Sequence, residues 1–502
     1  MNSVWWVKRD FRISDNECLS RAMLNGGEVT PFFCWEPKIV DSGDYSIFHF
    51  QAQWQALEGL TEELNQRGSN IWVACGEVTN ELDNLLKKYS FTHLYSHEET
   101  GNLISFQRDR EVARWCKMRG IIWTEISQNS VLRGGNAQMR RKNSTSLDLR
   151  KTKPIPSPKQ IRSPLTRSVP IRKWSWNELG TRLPKFSGCS MLPALQKVNE
   201  KKAWATLGSF FGSRAYYYSG GISSPNKAFQ NGSRLSVHLA WGTISLRSVF
   251  SQLELKRNEL DEENGRTSWK RSLRAFESRL YWRDHFIQRL ESVSDMEVRV
   301  LNRAYENLEY EDNPDHLESW LAGKTGYPMV DACMRCLNET GFMNFRMRAM
   351  LVSFACFGLH LSWRTIHQPL ARLFTDYEPG IHLSQIQMQA GVIGINALRV
   401  YSPSKQFLDH DPAAQFVKRW VPELADRTPA EIAHAEECNI PEYIRPIVNQ
   451  SVRSKKMKDQ IYLIRKSDDG RFQSSKTLQS HGSQKKISRK RKPKNNGQLE
   501  LF

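Results

Sequence analysis

The sequence predicts an α/β domain followed by an all-α domain. Short apolar runs of strand type alternate with amphipathic helical patterns through roughly the first 130 residues. From about residue 201 the strand patterns nearly vanish, and helical stretches follow one another. Apolar residues make up 39% of the 502 residues, which is enough for a core and excludes a wholly disordered chain.

The α/β domain is expected over residues 1–132. Its strand patterns lie at 3–7, 31–35, 70–75, 93–97 and 121–126, and its helical patterns lie at 50–66, 77–89 and 106–118. Nearly continuous apolar strands between amphipathic helices indicate a parallel, Rossmann-like sheet that is covered on both faces.

Three further segments follow this domain. Residues 133–200 are predicted to be a long linker, because five prolines between 154 and 170 oppose regular structure. The helical domain is expected over 201–452, and residues 453–502 are expected to form a disordered basic tail. Helical patterns of the second domain lie at 234–241, 245–256, 266–290, 297–307, 314–322, 328–339, 342–359, 363–373 and 411–419.

The net charge of +19 is concentrated in two of these segments. Residues 133–173 contain 12 Lys and Arg against one acidic residue, and residues 453–502 contain 15 against four. Everything else is close to neutral. Two flexible basic arms favour a polyanion such as nucleic acid, through salt-sensitive phosphate contacts. The alternative is that the arms only keep the chain in solution.

Composition also excludes several classes of protein. No run of about 18 apolar residues is present, so a membrane span is not expected. The first residues lack the pattern of a secretory signal peptide. Nine cysteines, an odd number, do not resemble a disulfide framework. We therefore expect a cytoplasmic protein.

Two groups of residues in the helical domain suggest a ligand. Gly232, Ser233 and Arg234 precede a helical pattern, where an N-cap leaves backbone N–H groups that can hold phosphate, although capping alone would also explain them. Asn344 and Arg348 lie four residues apart on one predicted helical face, and two acidic residues follow at 376 and 378. A buried Arg–Asp pair beside a polar heteroaromatic ligand would explain these charges, as would a purely structural ion pair.

Motifs along nearly the whole chain to about residue 450 resemble those of the cryptochrome/photolyase family. The most specific is Gly-Lys-Thr-Gly-Tyr-Pro followed by x-Val-Asp-Ala at 323–332. The others lie at 6–12, 15–16, 232–236, 280–284, 341–350, 376–379, 411–412 and 419–424. The resemblance implies an α/β antenna-type domain and a helical domain that binds FAD in a U shape. It also implies blue-light-driven electron transfer from reduced flavin to a DNA photolesion, or photosensing.

Matching positions to the family's motifs gives a set of expected FAD-binding residues. The resemblance implies that the diphosphate is held near Tyr218, and that Arg348 and Asp376 pair over the isoalloxazine ring. His382 falls opposite flavin N5, where its protonation would tune the flavin's charge, unless it is a loop histidine bonded to its own backbone. The full set is Tyr218, Gly232, Ser233, Arg234, Leu235, Ser236, Arg283, Asn344, Arg348, Asp376, Glu378 and His382.

The substrate side departs from the family's pattern. The resemblance implies that a base stacks on Trp282, whose alternative is a core position. Arg279 stands where dimer photolyases have an acid, and Phe345 and Ala349 stand where the family has Asn and Met or two histidines. The expected DNA-binding residues are Arg279, Trp282, Arg283, Phe345, Arg346 and Gln406.

The electron-supply chain is also altered. The family's usual three tryptophans fall on Ile386, Trp363 and Tyr310, and isoleucine cannot be oxidised, so reduction needs another route. The catalytic residues implied are Trp282, Arg279, Trp363 and His382. An iron–sulfur cluster on Cys333, Cys336, Cys356 and Cys438 is not expected, because Cys333 and Cys336 have ordinary helical core spacing.

The last residues, Gln498, Leu499, Glu500, Leu501 and Phe502, resemble the peptide that binds the bacterial sliding clamp. In such a peptide the glutamine fixes the register and apolar side chains dock in a cleft; a chance match is the alternative. The tail would deliver the protein to replicating DNA, so we expect a nucleoid-associated monomer that acts on damaged DNA. Repair of ultraviolet pyrimidine photolesions is the leading hypothesis, and a photoreceptor or a DNA-binding flavoprotein without lyase activity is the alternative.

Overall fold

A computed structural model of the chain describes residues 1–135, 139, 152–166, 175–262, 267–437 and 440–482. Five parallel strands form one sheet in the order β3-β2-β1-β4-β5. The strands are β1 (Ser3–Trp6), β2 (Val29–Trp35), β3 (Trp72–Cys75), β4 (His93–His97) and β5 (Ile122–Ile126). The predicted fold class is confirmed.

Helices cover both faces of this sheet. They span Glu17–Leu24, Pro37–Val40, Ile47–Gln66, Val78–Tyr89 and Leu103–Arg119. Because successive side chains of a strand point to opposite faces, Trp5 and Phe33 enter one core while Trp6 and Phe32 enter the other. Both faces are therefore apolar, as the nearly continuous strand patterns predicted.

The second domain is helical throughout its described residues. Its α-helices are Glu200–Gly212, Tyr218–Gly221, Ala228–Asn231, Ser236–Ala240, Leu246–Glu262, Thr267–Ser292, Pro314–Ala322, Pro328–Thr340, Phe345–Ser353, Trp363–Ala371, Pro379–Gln389, Pro403–His410, Gln415–Trp420 and Pro429–Ala433, and a π-helical turn spans Phe354–Gly358. The helix predicted at 297–307 is wrong, since that segment holds only short 3₁₀ turns. Gln387 explains the difference, because its Nε2 donates to the carbonyls of Met296 and Arg299 and so replaces helical hydrogen bonds.

The predicted linker is more ordered than its prolines suggested. It contains a helix, Trp176–Arg182, whose start is fixed by a capping box between Ser175 and Glu178. Upstream, the backbone N–H of Val29 donates to the carbonyl of Arg162, and the side chain of Ile161 is buried against the α/β domain. Part of the linker thus packs on the sheet domain.

The disordered tail predicted from residue 453 is wrong for its first half. Residues there form the helices Gln450–Lys466 and Asp468–His481. Met457 and Ile461 are buried in the core of the helical domain, and Asn302 donates to the hydroxyl of Ser474 at 3.1 Å. A few apolar residues at helical spacing were hidden by the basic composition around them. Residues 483–502, with the clamp-like peptide, lie outside the described residues, so that partner stays a prediction.

The two domains meet through direct backbone contact at Gly242. This glycine has a φ of +64°, and a Cβ there would lie 1.9 Å from the carbonyl oxygen of Arg9. Nη1 of the buried Arg12 donates to the Gly242 carbonyl at 3.0 Å. Across the ranges described above, no helix is long and apolar enough to cross a membrane.

We predict that Ile461→Ala lowers the free energy of unfolding by about 2–4 kcal/mol, because it leaves a cavity in the core. Ile461 is 1% exposed. Leu463→Ala is the matched control on the same helix, since Leu463 is 71% exposed and its truncation should cost less than about 0.5 kcal/mol. Denaturant unfolding measures both, and equal effects would contradict the packing of this helix.

Candidate functional site

An ion pair between Arg348 and Asp376 lies at the centre of the predicted cofactor residues. Nη2 of Arg348 lies 2.9 Å from Oδ2 of Asp376, and its Nε donates to the carbonyl of Met343 at 2.6 Å. Burial would raise the pKa of Asp376, but the charge and hydrogen bond of Arg348 and the hydroxyl of Ser236 lower it below its ordinary value. The carboxylate is therefore ionised within a buried site.

Asn344 brings a second segment against this pair. It is the N-cap residue of the helix Phe345–Ser353, which carries Arg348. Its Nδ2 donates to the carbonyls of Ile222 and Ser223 at 2.9 and 3.0 Å. The turn that follows Tyr218 is thereby held beside the ion pair, and Tyr218 itself is buried against phenylalanine rings.

The 232–236 segment approaches the pair from the other side. A Cβ at Gly232 would lie 2.5 Å from the carbonyl of Ala228, so only glycine fits. The Arg234 guanidinium lies 3.5 Å from the centroid of the Phe342 ring, and burial lowers the pKa of Arg234 to about 10. The predicted cap is corrected: the N-cap position is Leu235, and Ser233 only accepts from the Leu235 N–H at 3.4 Å. The helix begins two residues later than the sequence suggested.

Three buried polar atoms of this cluster have no hydrogen-bond partner among the described residues. They are Oδ1 of Asp376, Oδ1 of Asn344 and Nη1 of Arg234. Buried polar atoms are nearly always paired, so two acceptors and a donor left open in one place fit a polar ligand. An isoalloxazine ring has both an N–H group and carbonyl oxygens, and can meet both needs.

The alternative for His382, a loop histidine bonded to its own backbone, is wrong, and its position opposite flavin N5 stays a prediction. His382 lies in the helix Pro379–Gln389 rather than in a loop, and its Nε2 bonds the carbonyl of His367 at 2.8 Å rather than its own backbone. Burial, with the nearby His367, lowers the pKa of His382 to about 3. The imidazole is therefore neutral at physiological pH, and the hypothesis of a cationic His382 is not supported.

The Arg283 side chain contacts residues of the cofactor cluster instead of extending into solvent. Its Nη2 lies 3.4 Å from Oε2 of Glu378 and donates to the carbonyl of Leu239 at 3.2 Å, and its Nη1 lies 3.3 Å from Asp284. Burial raises the pKa of Glu378 despite the positive charges of Arg9 and Arg283. With these partners engaged, Arg283 fits the predicted cofactor role better than the predicted DNA contact.

Family models match both domains of the chain. The model described as DNA photolyase matches residues 3–146, and the model described as the FAD binding domain of DNA photolyase matches residues 276–462. This chain belongs to the cryptochrome/photolyase family. The resemblance inferred from its motifs is confirmed.

Known members are similar over nearly their whole length. The chain is 26% identical to the deoxyribodipyrimidine photo-lyase of Synechococcus sp. over 486 residues, covering 91% of this chain and 95% of the relative. It is 26% identical to a cryptochrome DASH of Synechocystis sp. over 449 residues, covering 84% and 87%. An archaeal photolyase from Sulfolobus tokodaii, solved with two FAD molecules, superposes with a TM-score of 0.76 at 25% identity, covering 92% of this chain and all of that one.

The chain thus contains the family's FAD-binding domain, and the predicted cofactor is confirmed. The unpaired atoms of Asp376, Asn344 and Arg234 show that the residues of this cryptochrome/photolyase chain fit the cofactor. Arg348 and Asp376 would hold its ring. The 232–236 segment would hold its phosphates, which stays a prediction.

Trp282 and Phe345 are exposed aromatic side chains near this cluster. Trp282 is 37% exposed, which excludes a core position, and the Arg279 guanidinium lies 5.3 Å from its ring centroid. Phe345 is 46% exposed and Ala349, four residues on in the same helix, is buried, so a substrate pocket lined by both positions stays a prediction. The Phe345–Ser353 helix is exposed at its first residue, and most of its residues from Met347 onward are buried.

The remaining expected DNA contacts are less accessible. Gln406 is buried in the helix Pro403–His410, and its Oε1 has no partner within the described part of the chain. Arg346 is partly buried, and its Nε likewise lacks a described partner. Their contact with DNA stays a prediction.

The three positions of the family's tryptophan chain are all inside the protein. Trp363 is fully buried, with an indole N–H that has no described partner, and Ile386 is buried in the same core. The Tyr310 hydroxyl is also buried and lacks a partner in the ranges described. Trp363 can therefore not touch DNA.

The cysteines do not form a metal site in the described residues. Cys333, Cys336 and Cys356 are buried, and Cys438 lies outside those residues. Burial raises the pKa of Cys336 to about 12, which keeps it a thiol rather than a metal-binding thiolate. No described group of three or more His, Cys, Asp and Glu residues could hold a metal ion.

Sequence reasoning missed a cleft between the two domains. It lies where β1 and β2 end. Arg9, Glu36, Asp44, Trp241 and Tyr377 are among its lining residues. The motifs at 6–12 and 376–379 carried the family resemblance, yet nothing in their spacing showed that they meet across this cleft.

We predict that Asp376→Asn weakens FAD binding by about 2–5 kcal/mol, because it leaves the Arg348 guanidinium without its buried counter-charge. The ratio of bound flavin to protein after purification, and titration of the apoprotein with FAD, measure the effect. Asp468→Asn, at an exposed position, is the control and should retain FAD.

We predict that His382→Asn reduces the acid sensitivity of the fold. The pKa of His382 is about 3 when folded and 6.5 in its ordinary state, so the unfolded chain binds more protons and stability falls as pH drops below 6.5. Between pH 6.5 and 5 this histidine should account for about 2 kcal/mol of lost stability, which the variant avoids. His434→Asn, at an exposed position, should leave the pH profile unchanged.

Proposed function

We propose that this chain is a FAD-dependent DNA photolyase that repairs pyrimidine photolesions under blue light. The observation that carries the proposal is the position of Trp282. Its exposed ring lies beside Arg279, one residue from Arg283, which contacts Glu378 of the cofactor cluster. One helix, Thr267–Ser292, therefore presents a stacking ring outward and a cofactor-cluster residue inward.

The chemistry of the lesion fits these side chains. A pyrimidine pair turned out of the duplex needs a flat ring to stack on and a cation near its phosphates. Trp282 and Phe345 offer the aromatic surface, and Arg279 offers the cation. Reduced FAD, when bound, supplies an electron after it absorbs blue light. The role of the protein is to hold the lesion close to the reduced FAD in a site that contains little water.

Two further facts support DNA as the partner. The net charge is +19, with the excess in the segments 133–173 and 453–502. The Synechococcus relative is named a deoxyribodipyrimidine photo-lyase.

A photoreceptor is the second candidate. The buried Ala349 and the exposed Phe345 leave the substrate side without either of the family's expected polar pairs. The Synechocystis relative is named a cryptochrome. In that case the light-dependent change would reach partners through the C-terminal helices.

Illumination of the chemically reduced protein with ultraviolet-damaged oligonucleotides tests the proposal. Restored pyrimidines, detected by chromatography, are the expected result. Binding of damaged DNA without any restoration after illumination would contradict the photolyase and favour the photoreceptor.

We predict that Trp282→Ala weakens binding to damaged DNA by about 1–3 kcal/mol and slows repair, because one base loses its stacking partner. Fluorescence anisotropy with a damaged oligonucleotide measures the affinity. Leu24→Ala removes an exposed apolar side chain from the helix Glu17–Leu24 of the α/β domain and should change neither quantity. Equal affinity of Trp282→Ala and the unsubstituted protein would remove Trp282 from the binding surface.

A further inference from the structure

Tyr377 lies between the cofactor cluster and the interdomain cleft. It stands in sequence between Asp376 and Glu378, and its ring centroid is 5.3 Å from that of His382. On its other side it stacks with His49 at 5.5 Å, and it forms part of the cleft wall. A ring that can be oxidised therefore lies in contact with His382 and at the wall of the cleft.

The hydroxyl of Tyr377 has a buried proton acceptor. It donates to Oδ2 of Asp44 at 2.6 Å. Asp44 also accepts from Ser42 and Asn102, and these hydrogen bonds lower its pKa against the effect of burial, so the carboxylate is ionised. A tyrosine that loses an electron must also lose its phenolic proton, and Asp44 lies within reach of that proton.

The positions of the family's tryptophan chain lack such an arrangement. Ile386 cannot be oxidised, and the Tyr310 hydroxyl has no described acceptor for its proton. The Trp363 indole N–H likewise has no hydrogen-bond partner among the described residues. Unlike Ile386, Tyr310 and Trp363, Tyr377 combines a redox-active ring in contact with His382 and a hydroxyl bonded to a carboxylate.

We propose that Tyr377 is the residue that gives an electron to the oxidised FAD under light, with Asp44 as its proton acceptor and a small thiol in the cleft as the terminal reductant. The proposal rests on FAD binding and does not depend on which lesion, if any, is repaired. Tyr377 would thus replace the first electron donor of the family's tryptophan chain, a role that Ile386 cannot fill because it cannot be oxidised.

The step balances in electrons and protons. Under light, the Tyr377 ring loses one electron to FAD, and its O–H bond breaks as the proton passes to Oδ2 of Asp44. The thiol then gives one electron to the Tyr377 radical and releases its own proton to solvent, while Asp44 returns the phenolic proton. Two oxidised thiols combine into a disulfide, so Tyr377 and Asp44 end unchanged and FAD gains one electron per thiol.

The cleft gives the thiol access to Tyr377. The Tyr377 side chain lines this cleft together with those of His49 and Trp241. Arg9 lies on the same wall, and its Nη2 donates to the Tyr377 carbonyl at 3.3 Å, which holds the backbone of the relay in place.

Light-driven reduction of the bound, oxidised FAD tests the assignment. With dithiothreitol as the thiol, the loss of oxidised-flavin absorbance is followed under blue light at matched FAD content. We expect Tyr377→Phe to slow this reduction about tenfold or more. Asp44→Asn keeps the ring in place but cannot take the proton, so it should also slow the reduction and reduce the solvent isotope effect of the full chain.

Tyr327→Phe is the matched control, since Tyr327 is another buried tyrosine that does not line the cleft, and its hydroxyl donates to the Val448 carbonyl rather than to a carboxylate. It should reduce FAD at the rate of the full chain. Samples frozen under light without thiol should show a tyrosyl radical by electron paramagnetic resonance, absent in Tyr377→Phe. An unchanged rate in Tyr377→Phe, or a radical that persists there, would overturn the proposal.

A second measurement separates this inference from the proposed function. Repair is assayed with FAD reduced chemically by dithionite, which bypasses the relay. Tyr377→Phe should then repair damaged oligonucleotides as the full chain does. Failure of repair in every variant would reject the photolyase function and leave the photoreduction result standing.

Discussion

The structure depends on one short segment, residues 374–378, in which every residue is bonded to a different part of the molecule. The carbonyl of Phe374 accepts from His49, and that of Thr375 accepts from the Trp241 indole at 2.9 Å. Asp376 pairs with Arg348, Tyr377 with Asp44, and Glu378 with Arg9 and Arg283. Because buried polar groups must be paired, these bonds fix both domains around the cofactor cluster.

In the proposed function, this arrangement would let one fold hold both a cofactor and damaged DNA. The cofactor cluster is closed on the cleft side by the 374–378 segment, and on the opposite side the helix Thr267–Ser292 presents Trp282 to solvent. A stacked base and the cofactor would thus be separated by little more than one helix. A short separation would favour electron transfer from the cofactor to the base.

Burial also controls the charge states near the site. His382, His367, His49 and His238 are all buried, and burial lowers the pKa of each to about 3 or 4. The histidines therefore serve as neutral hydrogen-bonding groups, while the ionised Arg348–Asp376 pair supplies the fixed charge. The fold should lose stability in acid for the same reason, since unfolding lets these rings take up protons.

The sequence alone determined the five strands and the three longer helices of the first domain, the start of the helical domain and the pairing of Arg348 with Asp376, but it missed the helices Glu17–Leu24 and Pro37–Val40. Strand periodicity, apolar content and helical spacing are local properties, and the family's motifs preserve the residues of the pair. Only the tertiary structure decided that residues 450–481 are helical, that Ala349 faces the core, that His382 is neutral and that Tyr377 meets Asp44. These outcomes depend on contacts between residues far apart in the chain. Gln387, for example, replaces the helical hydrogen bonds of the 297–307 segment. Burial and long-range hydrogen bonds of this kind leave no periodic signal in a sequence.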